Sequence, residues 1–375
     1  MPQKSYEELD PSDVLDLEEK GDIEGLIAVL RQSRKRNVVK LAVNALGRLK
    51  DQKAVQPLIK WGLKSPLVSI RAAAIAALGD IGSDEAVKPL IQLMLKDMAV
   101  RAEAVEALGR LRATNAVNAL VSVVEDEREA QQVREKALEA LANVADKEAI
   151  TSLVAALGCS LDEKASEVLR QVGKPAVMPL ISALNGDKET IIWKAAEILG
   201  EIRDERAVEP LIALLLDESK DEWNRGHYVA TSLGKIGDVG AVEPLIKLAS
   251  RHTEDMLTCM SVRALGDIGN RRAVDHLVAI LEDERTQDGL HSHLRLEVCW
   301  ALGKLRDARA VESLARIAEG RSQEEPETRE AAAAALIELD DDRIELPLLE
   351  YYRASSKDEV LKKLITRLIG KSKGV

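Results

Sequence analysis

A leucine, in most units followed by glycine, recurs at intervals of roughly 30 residues through this 375-residue chain. The repeated leucines are Leu46, Leu78, Leu108, Leu141, Leu169, Leu199, Leu233, Leu265, Leu302 and Leu336. Most units also carry an alanine eight residues after the leucine, at Ala54, Ala86, Ala116, Ala149, Ala207, Ala241, Ala273 and Ala310. A period of this length is typical of repeat architectures, in which single units cannot bury their apolar faces and stack to form one core.

Each unit is predicted to form two helices. In AVKPLIQLML, the apolar residues Val87, Leu90, Ile91 and Met94 share one face at helical spacing. The following VRAEAVEALGRL has the same periodicity. The residues between the leucine and the alanine predict a capped turn, because Asp, Asn or Ser side chains accept hydrogen bonds from the first N–H groups of a helix. These predicted caps are Asp51, Ser83, Asp146, Asp204, Asp238, Asn270, Asp307 and Asp341.

Proline follows the cap at a constant distance, at Pro57, Pro89, Pro210, Pro244 and Pro347. Proline is tolerated best near the start of a helix and otherwise bends it. The sequence therefore predicts an all-α protein, a right-handed α-solenoid (superhelix) of about eleven helix pairs. We expect one continuous domain over residues 1–375, with an N-terminal cap at 1–20, stacked hairpins at 21–370 and a polar tail at 371–375.

The consensus VRxxAxxALGxIxDxxAVxPLI resembles the HEAT-like repeats of the phycobilisome-lyase type over nearly the whole chain. The resemblance implies the solenoid fold. The repeat class includes bilin lyase subunits, an iron-dependent peptidyl-lysine hydroxylase and binding scaffolds, so the resemblance implies no single activity.

Composition narrows the classes of function. The chain is 46% hydrophobic and 31% charged, with a net charge of −11, as expected for a folded protein that does not bind nucleic acid generally. RQSRKR, at 31–36, is the only dense basic stretch. The absence of a long apolar run or a secretory signal predicts a cytoplasmic protein without membrane segments. Cys159, Cys259 and Cys299 lack the spacing of a disulfide framework or a zinc site.

The sequence lacks the catalytic and metal-binding motifs of the enzymes in this repeat class. None of the five histidines is followed by glutamate, so the di-iron dyads that the hydroxylase resemblance implies are not present. In HSHLRLE, His293 and Glu297 lie one helical turn apart, which favours a surface ion pair at a loop-to-helix junction over a metal site with too few ligands. The glycines after the repeated leucines indicate close helix packing or helix ends rather than a phosphate loop. We expect no catalytic residue, metal or cofactor.

An arginine recurs early in the second helices, at Arg71, Arg101, Arg134, Arg295 and Arg329, and predicts a ladder between units with neighbouring acids. The corresponding residues in units five to eight are Asp162, Ile192, Gly226 and Thr258. In this middle part the outward positions of the second helices also change. We expect these helices to line the concave side of the solenoid.

The changed positions define a candidate binding stripe, named here by its residues: Trp193, Glu197, His227, Tyr228, Thr231, Arg263, Leu296 and Trp300. Aromatic residues and arginine are enriched at binding hot spots, and three of the eight aromatic residues of the chain fall in the stripe. The alternative is that Trp193 and Trp300 pack between units. The loops of this region are also longer, and Trp223 is expected at the rim.

The sequence thus favours a non-enzymatic scaffold that binds a protein or peptide, with a basic patch, on its concave face. Two alternatives stay open: a bilin lyase-type enzyme subunit and, less favoured, a nucleic-acid-binding protein.

Overall fold

The computed structural model describes residue 6 and residues 8–217, 226–251, 253, 255–283, 292–318 and 325–339. Within these residues the chain is helical and contains no strand. The helices are α1 Pro11–Glu19, α2 Ile23–Gln32, α3 Arg36–Leu49, α4 Val55–Pro57, α5 Val68–Ile81, α6 Val87–Lys96, α7 Arg101–Arg110, α8 Val117–Glu125, α9 Gln131–Val144, α10 Lys147–Ala156, α11 Asp162–Val172, α12 Val177–Leu184, α13 Glu189–Ile202, α14 Val208–Leu216, α15 Gly226–Ile236, α16 Val242–Ala249, α17 Met256–Ile268, α18 Val274–Glu282, α19 Ser292–Leu305, α20 Val311–Ala318 and α21 Pro326–Leu339. A π-helical segment, Leu58–Gly62, extends α4.

The helices form ten consecutive hairpins in the described residues, from α2–α3 to α20–α21, so the chain is an α-solenoid as predicted. The chain divides into two compact units, Met1–Pro179 and Leu180–Val375. In the first unit α3, α5, α7, α9 and α11 pack in series, and in the second α13, α15, α17, α19 and α21 do the same. Helix α1 packs against α2 and α3. The predicted single domain and its terminal boundaries stay predictions, and the tail lies outside the described residues.

The repeated residues form the core. All ten repeated leucines are at most 1% exposed, and the second set of alanines is fully buried. Most repeats therefore bury the same two side chains, the leucine near the end of the second helix and the alanine just before or in the first turn of the following helix. This burial is the reason that the pattern recurs at these positions.

The predicted capping hydrogen bonds are present at six of the seven positions that the structure describes. The side chains of Asp51, Asp146, Asp204, Asp238, Asn270 and Asp307 accept hydrogen bonds from backbone N–H groups two or three residues later. Ser83 has the same extended backbone but makes no capping bond, so this prediction is wrong. Asp341 lies outside the described residues.

The prolines stand in the first turn of their helices. Pro57, Pro89, Pro210 and Pro244 are each the third residue of a first helix that begins at valine. A short 3-10 turn precedes each of these helices. Proline therefore starts the helix rather than bending its interior, because its missing N–H falls where no intrahelical acceptor is required. Pro347 is outside the described residues.

The glycines after the repeated leucines bring neighbouring second helices together. A Cβ atom added to Gly266 would lie 2.8 Å from the Cα atom of Ala301 on the next second helix, closer than real Cβ contacts. The same approach, at 2.7–3.0 Å, joins Gly47 to Ala77, Gly109 to Ala140, Gly200 to Ser232, Gly234 to Ala264 and Gly303 to Ala335. Close helix packing, the first of the two predicted roles, is therefore the correct one for these glycines.

The recurring arginines bond more often to the first helix of their own hairpin than to the next repeat. Arg101, Arg134 and Arg295 each donate a 2.8 Å hydrogen bond to a carbonyl oxygen in the last turn of the preceding first helix. Pairing with an acid of the next unit occurs at Arg71, which bonds Asp97 at 2.9 Å, and at Arg101, which bonds Glu129. The predicted ladder is thus confirmed at two positions. The common role is to satisfy the C-terminal carbonyls of the first helices.

We expect Gly266→Ala to lower the stability of the protein by about 2 kcal/mol, because the added methyl group overpacks the contact with the Ala301 backbone. The midpoint of urea unfolding measures this change. Gly240→Ala is the matched control, since its Cβ would meet only the side-chain oxygen of Asp238, at 3.0 Å, before Val208 at 3.8 Å. Equal midpoints for the two variants would contradict the packing role.

Candidate functional site

The residues of the predicted stripe lie on four helices that pack in series within the second unit, α13, α15, α17 and α19. Tyr228 and Trp300 are 44% and 50% exposed, values that single them out among the aromatic residues described. The other stripe residues, Trp193, Glu197, His227, Thr231, Arg263 and Leu296, are half-buried. Trp300 is therefore not buried between neighbouring repeats. The ring nitrogen of Trp193, in contrast, is inaccessible to solvent.

At the equivalent repeat positions of the first unit, ion pairs join neighbouring second helices. Lys136 of α9 bonds Glu106 of α7 at 3.2 Å, and Lys164 of α11 bonds Glu139 of α9 at 2.7 Å. In each pair the lysine and the glutamate occupy fixed positions of their repeats, five and two residues before the repeated leucine. This lysine–glutamate ladder covers the outward side of the second helices with charge.

The ladder changes in the second unit. Its lysine position holds Tyr228 in α15 and Met260 in α17, and its glutamate position holds Thr231 in α15 and Trp300 in α19. Thr231 donates its hydroxyl proton to the His227 carbonyl oxygen at 2.7 Å within its own helix. The ring of His227 contacts that of Tyr228, with centroids 4.0 Å apart. Apolar and aromatic surface thus replaces paired charge at these positions.

One pair of the ladder survives with its charges reversed. Arg263 of α17 bonds Glu297 of α19 through both arms of its guanidinium, with Nε donating to Oε2 at 2.9 Å. Only 1% of the Glu297 side chain is exposed, against 42% for Arg263. The bond to Glu297, outweighing the cost of burial, raises the pKa of Arg263 above its ordinary value. This bidentate pair holds Arg263 in place beside the outward side of α19.

The predicted surface pair of His293 and Glu297 needs correction. The two side chains approach to 3.9 Å, but Glu297 is buried and Arg263 is its main partner. Sequence reasoning missed this because the bond joins residues 34 positions apart. Cys259, which occupies the same repeat position as Trp193 and His227, is buried. Trp223, His291 and the long loops at 218–225, 284–291 and 319–324 lie outside the described residues.

Helix α17 begins at an unusual cap. Asp255 accepts hydrogen bonds from the Thr258 N–H at 2.8 Å and the Thr258 hydroxyl at 3.0 Å, and also bonds the Thr253 hydroxyl. Burial, the largest single effect, disfavours the charged carboxylate, but these hydrogen bonds and the charge of Arg251 outweigh it and lower the pKa of Asp255. Thr258, fully buried, stands at the repeat position where other units have arginine.

Among the described residues, no group of three or more His, Cys, Asp or Glu side chains is placed to hold a metal ion. No helix in the described part of the chain has the length and apolar character required to cross a bilayer. The arrangement in the second unit is suited to contact with another molecule through exposed rings beside one fixed arginine.

The chain belongs to the HEAT-repeat family. The family model for HEAT repeats matches residues 23–99, 87–166 and 218–290, which together are more than half of the chain. A second model, for the PBS lyase HEAT-like repeat, matches residues 192–217. A comparison with curated proteins finds no match.

Solved structures with the same fold include Kap121p. Kap121p bound to Nup53p matches with a TM-score of 0.57 and 11% identity over 97% of this chain and 48% of Kap121p. Kap121p bound to Pho4p matches with a TM-score of 0.55 and 12% identity over 98% and 49%. An engineered protein is 21% identical over 85% of this chain and 99% of its own, with a TM-score of 0.34. The chain therefore spans about half the length of Kap121p.

We expect Arg263→Met to destabilise the protein by about 2 kcal/mol, because it leaves the buried Glu297 carboxylate without its cation. The double variant Arg263→Met/Glu297→Gln removes that charge and should recover part of the loss. A double-mutant cycle measured by urea unfolding gives the coupling. A coupling near zero would contradict the bidentate pair.

The lowered pKa of Asp255 predicts how stability changes with pH. An acid whose pKa is lower in the folded state stabilises the fold above its unfolded pKa, about 3.9, and loses this contribution as pH falls through the folded pKa. Between pH 7 and pH 3 the wild-type protein should therefore lose more stability than Asp255→Asn. Urea unfolding at several pH values tests this, and identical pH profiles would contradict it.

Proposed function

We propose that this HEAT-repeat chain is a non-enzymatic scaffold that binds a protein or peptide partner through the stripe on its second helices. The proposal rests above all on the exchange of ladder charges for the exposed rings of Tyr228 and Trp300. Exposing large aromatic rings to water is unfavourable, and tyrosine and tryptophan are the residues that contribute most to binding hot spots.

Arg263, held in place by Glu297, would add a polar contact with the partner to the apolar contacts of the two rings. Its guanidinium is partly exposed while Glu297 holds it by two bonds, so little side-chain entropy remains to be lost on binding. Arg263 and Trp300 occupy the same repeat position on the adjacent helices α17 and α19. A partner side chain that packs on Trp300 therefore lies near a preorganised hydrogen-bond donor.

The length of the stripe indicates the size of the partner segment. From α13 to α19 there are three helix-to-helix steps of roughly 10 Å, so the stripe is roughly 30 Å long. An extended peptide covers this distance with about nine residues. The partner would be a linear segment or the exposed side of a helix.

Charge favours a partner with a basic patch, as the sequence predicts. The chain carries a net charge of −11, and Glu197 lies in the stripe. Association should therefore be faster at low ionic strength.

The likeness to Kap121p adds support at the level of fold. Kap121p structures have been solved with Pho4p and with Nup53p bound, so a fold of this type can hold another protein.

Trp300→Ala and Tyr228→Ala should each lower partner affinity at least tenfold, because each removes an exposed aromatic anchor. Affinity capture with the wild-type chain identifies the partner by mass spectrometry. Titration of that purified partner, at two salt concentrations, then measures the affinity of each variant.

Val239→Ala is the matched control, since Val239 is 64% exposed but lies in a turn between α15 and α16. It should bind as the wild type does. Unchanged binding by both aromatic variants would contradict the proposed site. Visible absorbance after incubation with a bilin and its acceptor protein would instead support the lyase alternative.

A further inference from the structure

A second surface, on the first unit, joins basic and apolar residues at the loops between paired helices. Its exposed cations are Arg31, Arg34, Lys35, Arg36, Lys60, Lys64 and Lys96. Its exposed apolar residues are Leu67, Val68, Leu95 and Met98, at 39%, 45%, 50% and 74%. We call these eleven residues the basic edge. They belong to the three hairpins α2–α3, α4–α5 and α6–α7.

Hydrogen bonds place the three loops side by side. Arg36, at the start of α3, donates to the Ser69 hydroxyl of α5 at 3.2 Å. Arg71 of α5 donates to the Asp97 carboxylate in the next loop at 2.9 Å. Helices α3, α5 and α7 pack in that order. The cations and apolar side chains of the three loops therefore form one continuous surface rather than scattered residues.

Among the residues that the structure describes, acids are few on this surface, although the chain as a whole is acidic. Asp97 is paired with Arg71, and Glu8 is the exposed acid beside Lys35, which donates to the Glu8 carbonyl oxygen at 2.9 Å. The next loop of the series, 125–129, has the sequence EDERE and ends the basic edge. The concentration of positive charge in three consecutive loops indicates an anionic ligand.

The residue types distinguish a lipid surface from a protein partner. Lysine is depleted at protein interfaces and leucine is under-represented at hot spots, whereas the basic edge contains four lysines and two leucines. Lysine side chains extend toward lipid headgroups while their stems cover apolar surface. Lys60 also lies over the half-buried ring of Trp61, 4.9 Å from its centroid, and tryptophan is enriched where bilayer and water meet.

We propose that the basic edge binds peripherally to an anionic phospholipid surface. Leu67, Leu95 and Met98, near the loop ends, enter the headgroup region, and the surrounding lysines and arginines contact the lipid phosphates and carboxylates. The proposal concerns residues of the first unit and stands independently of the stripe.

Co-sedimentation of the full chain with vesicles tests this surface. Phosphatidylcholine vesicles that contain phosphatidylserine should bind the protein, and vesicles of phosphatidylcholine alone should bind at least tenfold less. Binding should weaken as salt rises. Equal partition onto the two kinds of vesicle, or no binding to either, would overturn the proposal.

Two charge-reversal variants locate the site. Lys60→Glu/Lys64→Glu/Lys96→Glu should lower binding at least tenfold. Lys53→Glu/Lys88→Glu/Lys247→Glu makes the same change of net charge at exposed lysines outside the basic edge and should bind more than the first variant. Circular dichroism checks that both are folded. Equal losses would show a general charge effect and overturn the assignment to this edge.

A third variant separates lipid from an acidic polypeptide. Leu95→Ser/Met98→Ser should weaken binding to the phosphatidylserine vesicles while binding to polyglutamate, the soluble anionic probe, stays the same. Normal vesicle binding by this variant, together with polyglutamate binding as tight as that to vesicles, would overturn the lipid proposal in favour of an acidic protein partner.

Discussion

The close approach of neighbouring second helices is the contact on which the other features depend. Six of the seven repeated glycines, all except Gly79, stand where the next second helix presents a small residue, so the two backbones meet with no room for a Cβ atom. This contact fixes the spacing of the second helices and directs their outward positions to one side. Where those positions carry lysine and glutamate they pair, and where they carry rings and methionine the surface becomes apolar.

The residues that recur in every repeat stabilise the fold, whereas the residues that depart from the repeat shape the surface. Leu265 and Ala273 are buried because every hairpin requires them, and their recurrence excludes them as a particular site. Tyr228 and Met260 stand where the first unit has Lys136 and Lys164, and Trp300 stands where it has Glu106 and Glu139. A fold of identical units thus gains a distinct surface by changing residues that the helix contacts do not require.

The repeat made much of the fold predictable from sequence, because the residues that recur are the ones that pack in the core. The caps were predictable because the side-chain oxygens of Asp and Asn accept hydrogen bonds from the N–H groups of the following turn, whereas Ser83 makes no such bond. The stripe residues can be listed from the sequence as exceptions to the repeat, and their role in binding stays a prediction, but the burial of Glu297 was not predictable. Its partner Arg263 lies 34 residues away, and no local pattern shows that two such residues meet. The basic edge likewise required three loops to be brought together by the fold.

We propose that a partner binds on the outward side of the second helices in the second unit. Site-specific photocrosslinking tests it most directly, with a photoreactive phenylalanine analogue replacing Tyr228 in one protein and Val239 in another. Both positions are exposed, and Val239 lies in a turn. The account predicts a covalent adduct with the captured partner from position 228 and none from position 239. Adducts from position 239 alone would contradict it.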